Sequence, residues 1–328
     1  MAAVLHCGAA RNHRANPAAA FKLEHLYGTP VLLSGLGSLV LTKPEINQVN
    51  SHHKESLQYL LRLLPNTPQC VYYFLGGSLP GEALLHLRQF SLLGMIMVLK
   101  SSILQRHGLN VFTTKASSGS WFYVVRNLCL RYQLPHPIEL LKSNLTKESF
   151  KNLAKKHVLN YWELKLRDEA AWLTSLRYFN PKYMSLSKPH PIIRTAGSSP
   201  YEVTKAGIQA LFLSGRYRTE TLCSHWSSNP GGYCLCPSCT GKYIPEDEEH
   251  IFLHCGSLSN TRHSLAQFTV AFSKKVPHLS NILLTFTSPS HPLFVQFMLD
   301  CSVIPDVISL AQDHGEAFLS DLFKVTCA

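Results

Sequence analysis

Helix starts recur along this chain, and they constrain its fold more than any other feature. Asn16-Pro17 sets a side-chain acceptor directly before a proline whose fixed φ suits a first helical turn. Thr42-Lys-Pro-Glu45 is a capping box, in which threonine and glutamate satisfy each other's orphan amides. Behind it Ile46, Val49, Leu57, Leu60, Leu61 and Leu64 form an apolar stripe that runs out at Pro65. Another helix opens near Pro80, apolar at Leu84, Leu87, Leu92 and Met95. Helices also fit 119–132, 147–173 and 200–214, the last with Ser199 as cap and Pro200 as first residue. Gly28 is expected to close the first helix after Tyr27. The run Val71–Leu75 reads as a strand or a buried turn, because so short an apolar run has no decisive period. The fold class expected is mainly α.

Proline, glycine and serine gather at 180–200, as in a linker, and a second break is expected around 273–292. These breaks divide the chain into a helical front (1–115), a helical extension with its linker (116–195), a helix followed by a Cys/His cluster (196–265) and a helical tail (266–328). A chain of 328 residues, 45% of them hydrophobic, can bury a core of that extent. It contains no uninterrupted apolar run long enough for a membrane helix. The first residues lack the apolar core of a secretory signal, and an Asn-Pro helix start at residue 16 argues against a mitochondrial leader. Ten cysteines in such a chain are expected as reduced thiols, in the nucleus or cytoplasm.

Charge is spread unevenly. Residues 1–167 hold 19 of the 31 Lys+Arg and 7 of the 20 Asp+Glu, and so carry the whole net excess of the chain. A basic half points to a polyanionic partner. That half also contains no aspartate before Asp168. Two-metal phosphoryl transfer needs carboxylates converging on ions about 4 Å apart, so it is expected to hold nucleic acid rather than to polymerise or cut it. Ser214-Gly215 is no nucleophile elbow, and no glycine-rich loop resembles a phosphate cradle. No catalytic residue is assigned.

The chemistry-bearing segment is Cys234–Cys255, CLCPSCTGKYIPEDEEHIFLHC. Cys236-Pro-Ser-Cys239 can turn two thiolates around one ion, and His250 and Cys255 follow on a short helix launched by the acids Glu246 to Glu249. The pattern C-x2-C-x10-H-x4-C fits structural zinc. Cys234 is an alternative to Cys236, and His254 to His250. Donors exceed the four that are needed, which favours a closed structural site over a catalytic one.

Two basic segments are candidate nucleic-acid contacts. Lys147, Lys151 and Lys155 stand among Phe150, Tyr161, Trp162 and Trp172, where cations would meet phosphates and an exposed ring would stack a base. The structural alternative is an amphipathic helix with its aromatics in the core. Arg216 and Arg218, beside Tyr217, are candidate phosphate clamps next to the Cys/His cluster.

Several blocks, in order, carry a family resemblance: NPAAAFKLEHLYGTPVLLSGLGSLVL, YFLGGSLPGEALLHLRQFSLLGMI, SSGSWFYVVRNLCLRYQLPHPIELL, YWELKLRDEAAWLTSLRYF, the stretch from Ser185 to Trp226, and EHIFLHCGSLSNTR. They resemble the polypeptides of animal non-LTR (LINE-type) retrotransposons, in the part that follows the reverse-transcriptase palm. The resemblance implies a helical thumb at 1–115, a helical extension, and a zinc knuckle that helps to hold RNA or DNA. It implies no membrane and no small-molecule substrate. The family's aromatic-Ala-Asp-Asp motif would lie before residue 1, so a truncated copy without polymerase activity is expected. Relatives often space the first ligand pair as C-x4-C, here Cys234 and Cys239, which keeps Cys234 and Cys236 both open. Other expectations are a host-retained module for a protein partner, using Glu246 to Glu249 and the apolar stripes, and an inert relic.

Overall fold

The structure is a computed structural model that describes residues 16–98, 119–142, 145–196, 199–217, 236, 239, 247–256 and 291–314, together with scattered positions between 259 and 288. It is mainly α-helical, with no strand among the described residues. One continuous apolar core runs from Phe21 to Val307, and a small satellite forms around Leu33, Val49 and Leu85.

The helix starts lie where the caps put them. Helix α1 (Pro17–Leu23) begins with Asn16 Oδ1 accepting from the Ala18 and Ala19 amides at 2.8 and 3.3 Å. Gly28, however, does not end it. The backbone continues through a π-helical turn, Glu24–Gly28, into α2 (Thr29–Leu32), and Gly28 itself has helical φ −62 and ψ −59. Glycine stands there for a steric reason. A Cβ would lie 2.1 Å from Glu24 Oε2, in the space occupied by a carboxyl folded back on its own helix.

Helix α3 (Lys43–Leu61) opens with the capping box, Glu45 Oε2 accepting from the Thr42 amide and hydroxyl at 2.7 Å each. It buries Val49, Leu57 and Leu61 and stops short of Pro65, with Arg62 left-handed at φ 55. Val71–Leu75 is neither strand nor turn. It lies in α4 (Gln69–Gly76), a helix buried on every side. Gly77 ends α4 at φ 57, and a Cβ there would sit 1.9 Å from the Lys188 carbonyl carbon, so glycine is required by conformation and by approach.

Helix α5 (Gly81–Val98) is apolar on several faces, and its buried side differs from the one its leucines suggest. Ala83, Leu85, His86, Phe90 and Leu93 go inside, while Leu84, Leu87 and Leu92 are half-buried and Met95 is exposed. Helices α6 (Trp121–Arg131) and α7 (Pro137–Lys142) follow. Then comes α8 (Lys147–Ala171), capped by Thr146 Oγ1 on the Ser149 amide at 3.2 Å. Every fourth residue of α8 from Phe150 to Ala170 is buried, and the helix packs along α5, where Gly94 admits Phe150.

The 180–200 stretch expected as a linker is strapped down instead. Glu163 of α8 accepts from the Ser185 hydroxyl and the Leu186 amide at 3.1 Å each, and Arg167 donates to the carbonyls of Pro181 and Met184. Met184, Leu186, His190, Ile192 and Ile193 are buried. Helix α9 (Pro191–Arg194) is followed by α10 (Pro200–Leu213), where Ser199 and Glu202 form a second capping box. Ser280–Phe286, inside the expected second break, is helical as α11. Helices α12 (Phe294–Asp300) and α13 (Pro305–His314) add Phe294, Phe297 and Val307 to the same core.

Polar groups inside this core are matched with care. Trp162 Nε1 donates to the Tyr132 hydroxyl at 3.0 Å, and that hydroxyl lies 2.7 Å from His86 Nδ1. The tyrosine proton is then free to go to the imidazole when His86 is neutral at Nδ1. His53 Nε2 similarly faces the Leu79 carbonyl at 3.1 Å. Burial pushes both imidazoles down, to about 4. The unfolded chain takes up these two protons near pH 6.5 and the folded chain only near 4, so stability is complete above 6.5 and is lost as pH falls toward 4. Each histidine costs about 3 kcal/mol over that window. Glu24 works against them, because burial raises its carboxyl and protonation then relieves the folded state. The urea midpoint is expected to fall between pH 7 and pH 5 at an unchanged slope; a rise would refute the neutral-histidine core.

Candidate metal centre

Four side chains converge at the far end of α10. Cys236 Sγ and Cys255 Sγ lie 3.8 Å apart, Cys239 Sγ and Cys255 Sγ 3.8 Å, and Cys239 Sγ and His250 Nε2 3.4 Å. All four donor atoms fall within 4.8 Å of one another, and Cys236, His250 and Cys255 are buried. These sulfurs are far beyond the bond length of a disulfide, about 2.05 Å. A tetrahedral ion with metal–sulfur bonds of about 2.3 Å sets its sulfurs about 3.8 Å apart and a ligating imidazole nitrogen about 3.5 Å from sulfur. The cluster has those spacings and can hold a metal ion. Three thiolates packed so closely repel one another unless a cation lies between them.

Local backbone geometry explains why these four meet. The Cys239 amide donates to the Cys236 carbonyl at 3.1 Å, closing the C-x2-C turn. His250 and Cys255 are five residues apart, a spacing that places side chains about 140° apart around an α-helix. Here His250–His254 is π-helical, and the Cys255 amide donates to the His250 carbonyl at 2.7 Å. The i to i+5 bond wraps one extra residue into the turn and brings both ligands to one side. Asp247 starts this turn, its Oδ1 accepting from the His250 amide at 2.7 Å. Asp247 thus acts as the acidic helix start that the sequence suggested, whereas Glu246 lies outside the described residues. So does Cys234. His254 is exposed and outside the cluster, which leaves His250 as the imidazole.

The cluster is fastened to the main core by features that the sequence did not announce. Phe252 meets Phe212 of α10 edge to face at 5.2 Å, and Tyr217 stacks on Phe212 at 3.8 Å between ring centroids. Arg177 pairs with Glu249. Tyr217 therefore buttresses the knuckle rather than standing free beside a phosphate. Arg216 is half-buried, and its Nε has no hydrogen-bond partner among the described residues. Arg218 lies outside the described residues. Alternating aromatic and aliphatic residues at 251–253 were the only sequence signal for this packing.

The basic helix is a different surface. Lys147, Lys151 and Lys155 are exposed along one side of α8, while Phe150 and Trp162 are in the core and Tyr161 is half-buried. The structural alternative therefore holds for these rings. Trp172 alone stands out, 86% exposed. Cys70 and Cys129, isolated in sequence, are buried, and burial pushes both thiols up to about 12, which leaves them inert. No helix among the described residues is long and apolar enough to cross a membrane. No protein-family model matches the chain, and no curated protein or solved structure is significantly similar to it.

Purified chain is expected to carry one tightly held metal ion, measured by elemental analysis. Cys239→Ala should lose it and speed amide exchange at 247–256 by a factor on the order of a hundred, while α8 stays protected. Equal loss of protection in α8 would show that the cluster supports the whole core.

Proposed function

We propose that the chain is a nucleic-acid-binding module related to the thumb, helical extension and zinc knuckle of LINE-type reverse transcriptases, with no polymerase activity of its own. The ion at Cys236, Cys239, His250 and Cys255 is zinc in this reading, since three thiolates and one imidazole in a tetrahedron are its preferred donors. Four protein ligands leave no position for water, so the zinc is structural. Its role is to fix the chain between α10 and the turn at 250–254.

The observation that carries the reading is the lysine row on α8. Lys147, Lys151 and Lys155 recur every four residues, about 6 Å apart along the axis, in an exposed row flanking the side of the helix that is locked into the core. A rigid row of cations at that interval suits successive phosphates, with RNA or DNA as the polyanion. Lys156 is exposed next to the row, and Trp172 stands exposed beyond the end of the same helix as a ring on which a base can stack. The absence of aspartate before Asp168 supports binding without chemistry.

A second reading has one observation in its favour. Leu23, Leu26, Tyr27 and Val31 are each more than half exposed along the α1–α2 helix, an apolar face suited to a protein partner. Salt separates the two. Binding of the purified chain to labelled RNA hairpins and to duplex DNA is expected to weaken steeply with salt, and the K147Q/K151Q/K155Q variant should lower the logarithmic salt slope by about 2 to 3. Binding that ignores salt, or a slope unchanged in the variant, would remove the lysine row from the function. Magnesium-dependent primer extension at full strength by this chain would overturn the non-catalytic reading.

A further inference from the structure

Tryptophans are highly buried on average in folded proteins, and one in this chain is not. Trp121 is half-buried and donates to the Gly37 carbonyl at 2.9 Å, and Trp162 is buried and donates to the Tyr132 hydroxyl. Trp226 lies outside the described residues. Trp172 is 86% exposed, and among the described residues it has neither a side-chain hydrogen bond nor a ring contact. A large ring held in water is a cost that a partner removes by covering it.

The ring is carried by the same rod as the lysine row. Trp172 is the C-cap of α8, with its backbone still helical at φ −83 and ψ −9. Buried residues at every fourth position from Phe150 to Ala170 anchor that helix along its length, so neither end can swing. Along the axis Trp172 stands about 25 Å beyond Lys155 and about 37 Å beyond Lys147. Charge differs between the two ends. Asp168, exposed one turn before the ring, repels a phosphate, so whatever covers Trp172 has to present a base and keep its backbone away. The lysine row does the reverse: it gathers phosphates and offers no open ring, since Phe150 is buried and Tyr161 half-buried. The rod thus addresses two different parts of a nucleotide chain.

A duplex cannot satisfy both ends. Inside a duplex each base face is covered by its neighbours, and opening one costs the stacking and pairing around it. A single strand has its base faces open and can turn from a straight row of cations toward a ring. We propose that the polyanion is single-stranded, with successive phosphates on Lys147, Lys151 and Lys155 and a base stacked on the Trp172 indole. This inference names the substrate class within the nucleic-acid reading and rests on it. Every base has a π-face, so the site tolerates many sequences.

Binding of the full chain to labelled oligo(dT) and oligo(U) of about 20 nucleotides, and to a duplex of about 20 base pairs, tests the assignment; these lengths exceed the roughly 4 to 16 nucleotides that single-strand grooves take. At equal salt at least one single strand is expected to bind about tenfold more tightly than the duplex, and the tighter of the two separates DNA from RNA. W172L keeps an exposed apolar side chain without a ring. It should leave the helical circular dichroism unchanged and lower single-strand affinity about tenfold, with duplex affinity unmoved, while W172F should recover most of the loss. A duplex bound as tightly as the single strands, with a steep salt slope, would overturn this inference and leave the nucleic-acid reading standing. Single-strand affinity equal in W172L and the unaltered chain would overturn it too. Failure of every nucleic acid to bind folded protein would remove both readings.

Discussion

A helix buried on every side has to be covered on every side, and that demand organises this protein. Helix α4 carries Cys70 to Leu75 with almost no exposure, so no face of it can be left to solvent. Burying side chains of Val, Tyr, Phe and Leu yields about 1.5 to 3 kcal/mol for each of the large ones, provided that neighbours arrive from all directions. Phe21 of α1 reaches Gly76, while α3 and α8 also pack against α4. The fourth side is closed by 188–190, where Gly77 lets two backbones touch and the His190 amide takes the Leu75 carbonyl left open at the end of the helix. The irregular 180–194 segment is thus part of the core's wall.

What could be read in the sequence follows the range over which each signal acts. Caps are local, and Asn16, Thr42 with Glu45, Thr146, and Ser199 with Glu202 mark real helix starts because every atom involved lies within three residues. Gly28 looked like a stop for the same local reason, yet its missing side chain answers to the folded-back Glu24 carboxyl, which no cap rule describes. The Val71–Leu75 run had no period because a wholly buried helix has no polar face to mark one. Helix α5 failed differently: with leucine on several sides, its burial is decided by α8, through Gly94 and Phe150, rather than by its own pattern. The proline-, glycine- and serine-rich 180–200 stretch reads as a linker from composition. Glu163 and Arg167, some twenty residues earlier, satisfy its backbone, and that partnership cannot be seen in the segment itself.

The metal cluster was legible as chemistry and only partly as geometry. Cysteine and histidine at this spacing point to a metal site, but six residues offered donors for four places. The choice of His250 over His254 comes from the π-helical turn, since His254 precedes Cys255 directly and the two point apart along the chain. In an α-helical turn His250 and Cys255 would diverge. The extra residue in the turn makes H-x4-C a usable ligand pair, and the ligand set and the backbone form therefore specify one another.

Electrostatics divides the same way between surface and interior. On α8 the four-residue repeat of core residues fixes the helix's rotation, and Lys151 and Lys155, one position after Phe150 and Ala154, are presented to solvent as a consequence. Their alignment needs no attraction among themselves. It is imposed by Phe150, Ala154 and Val158, so a surface of like charges is held together by the apolar energy of the face beside it. The interior follows the reverse rule. Burial holds His86 neutral beside the Tyr132 hydroxyl, which accepts from Trp162. Arg216 lies between these regimes, with a partly buried guanidinium whose Nε has no hydrogen-bond partner among the described residues. The lysines of α8 are exposed along their whole row, whereas this guanidinium is half-buried.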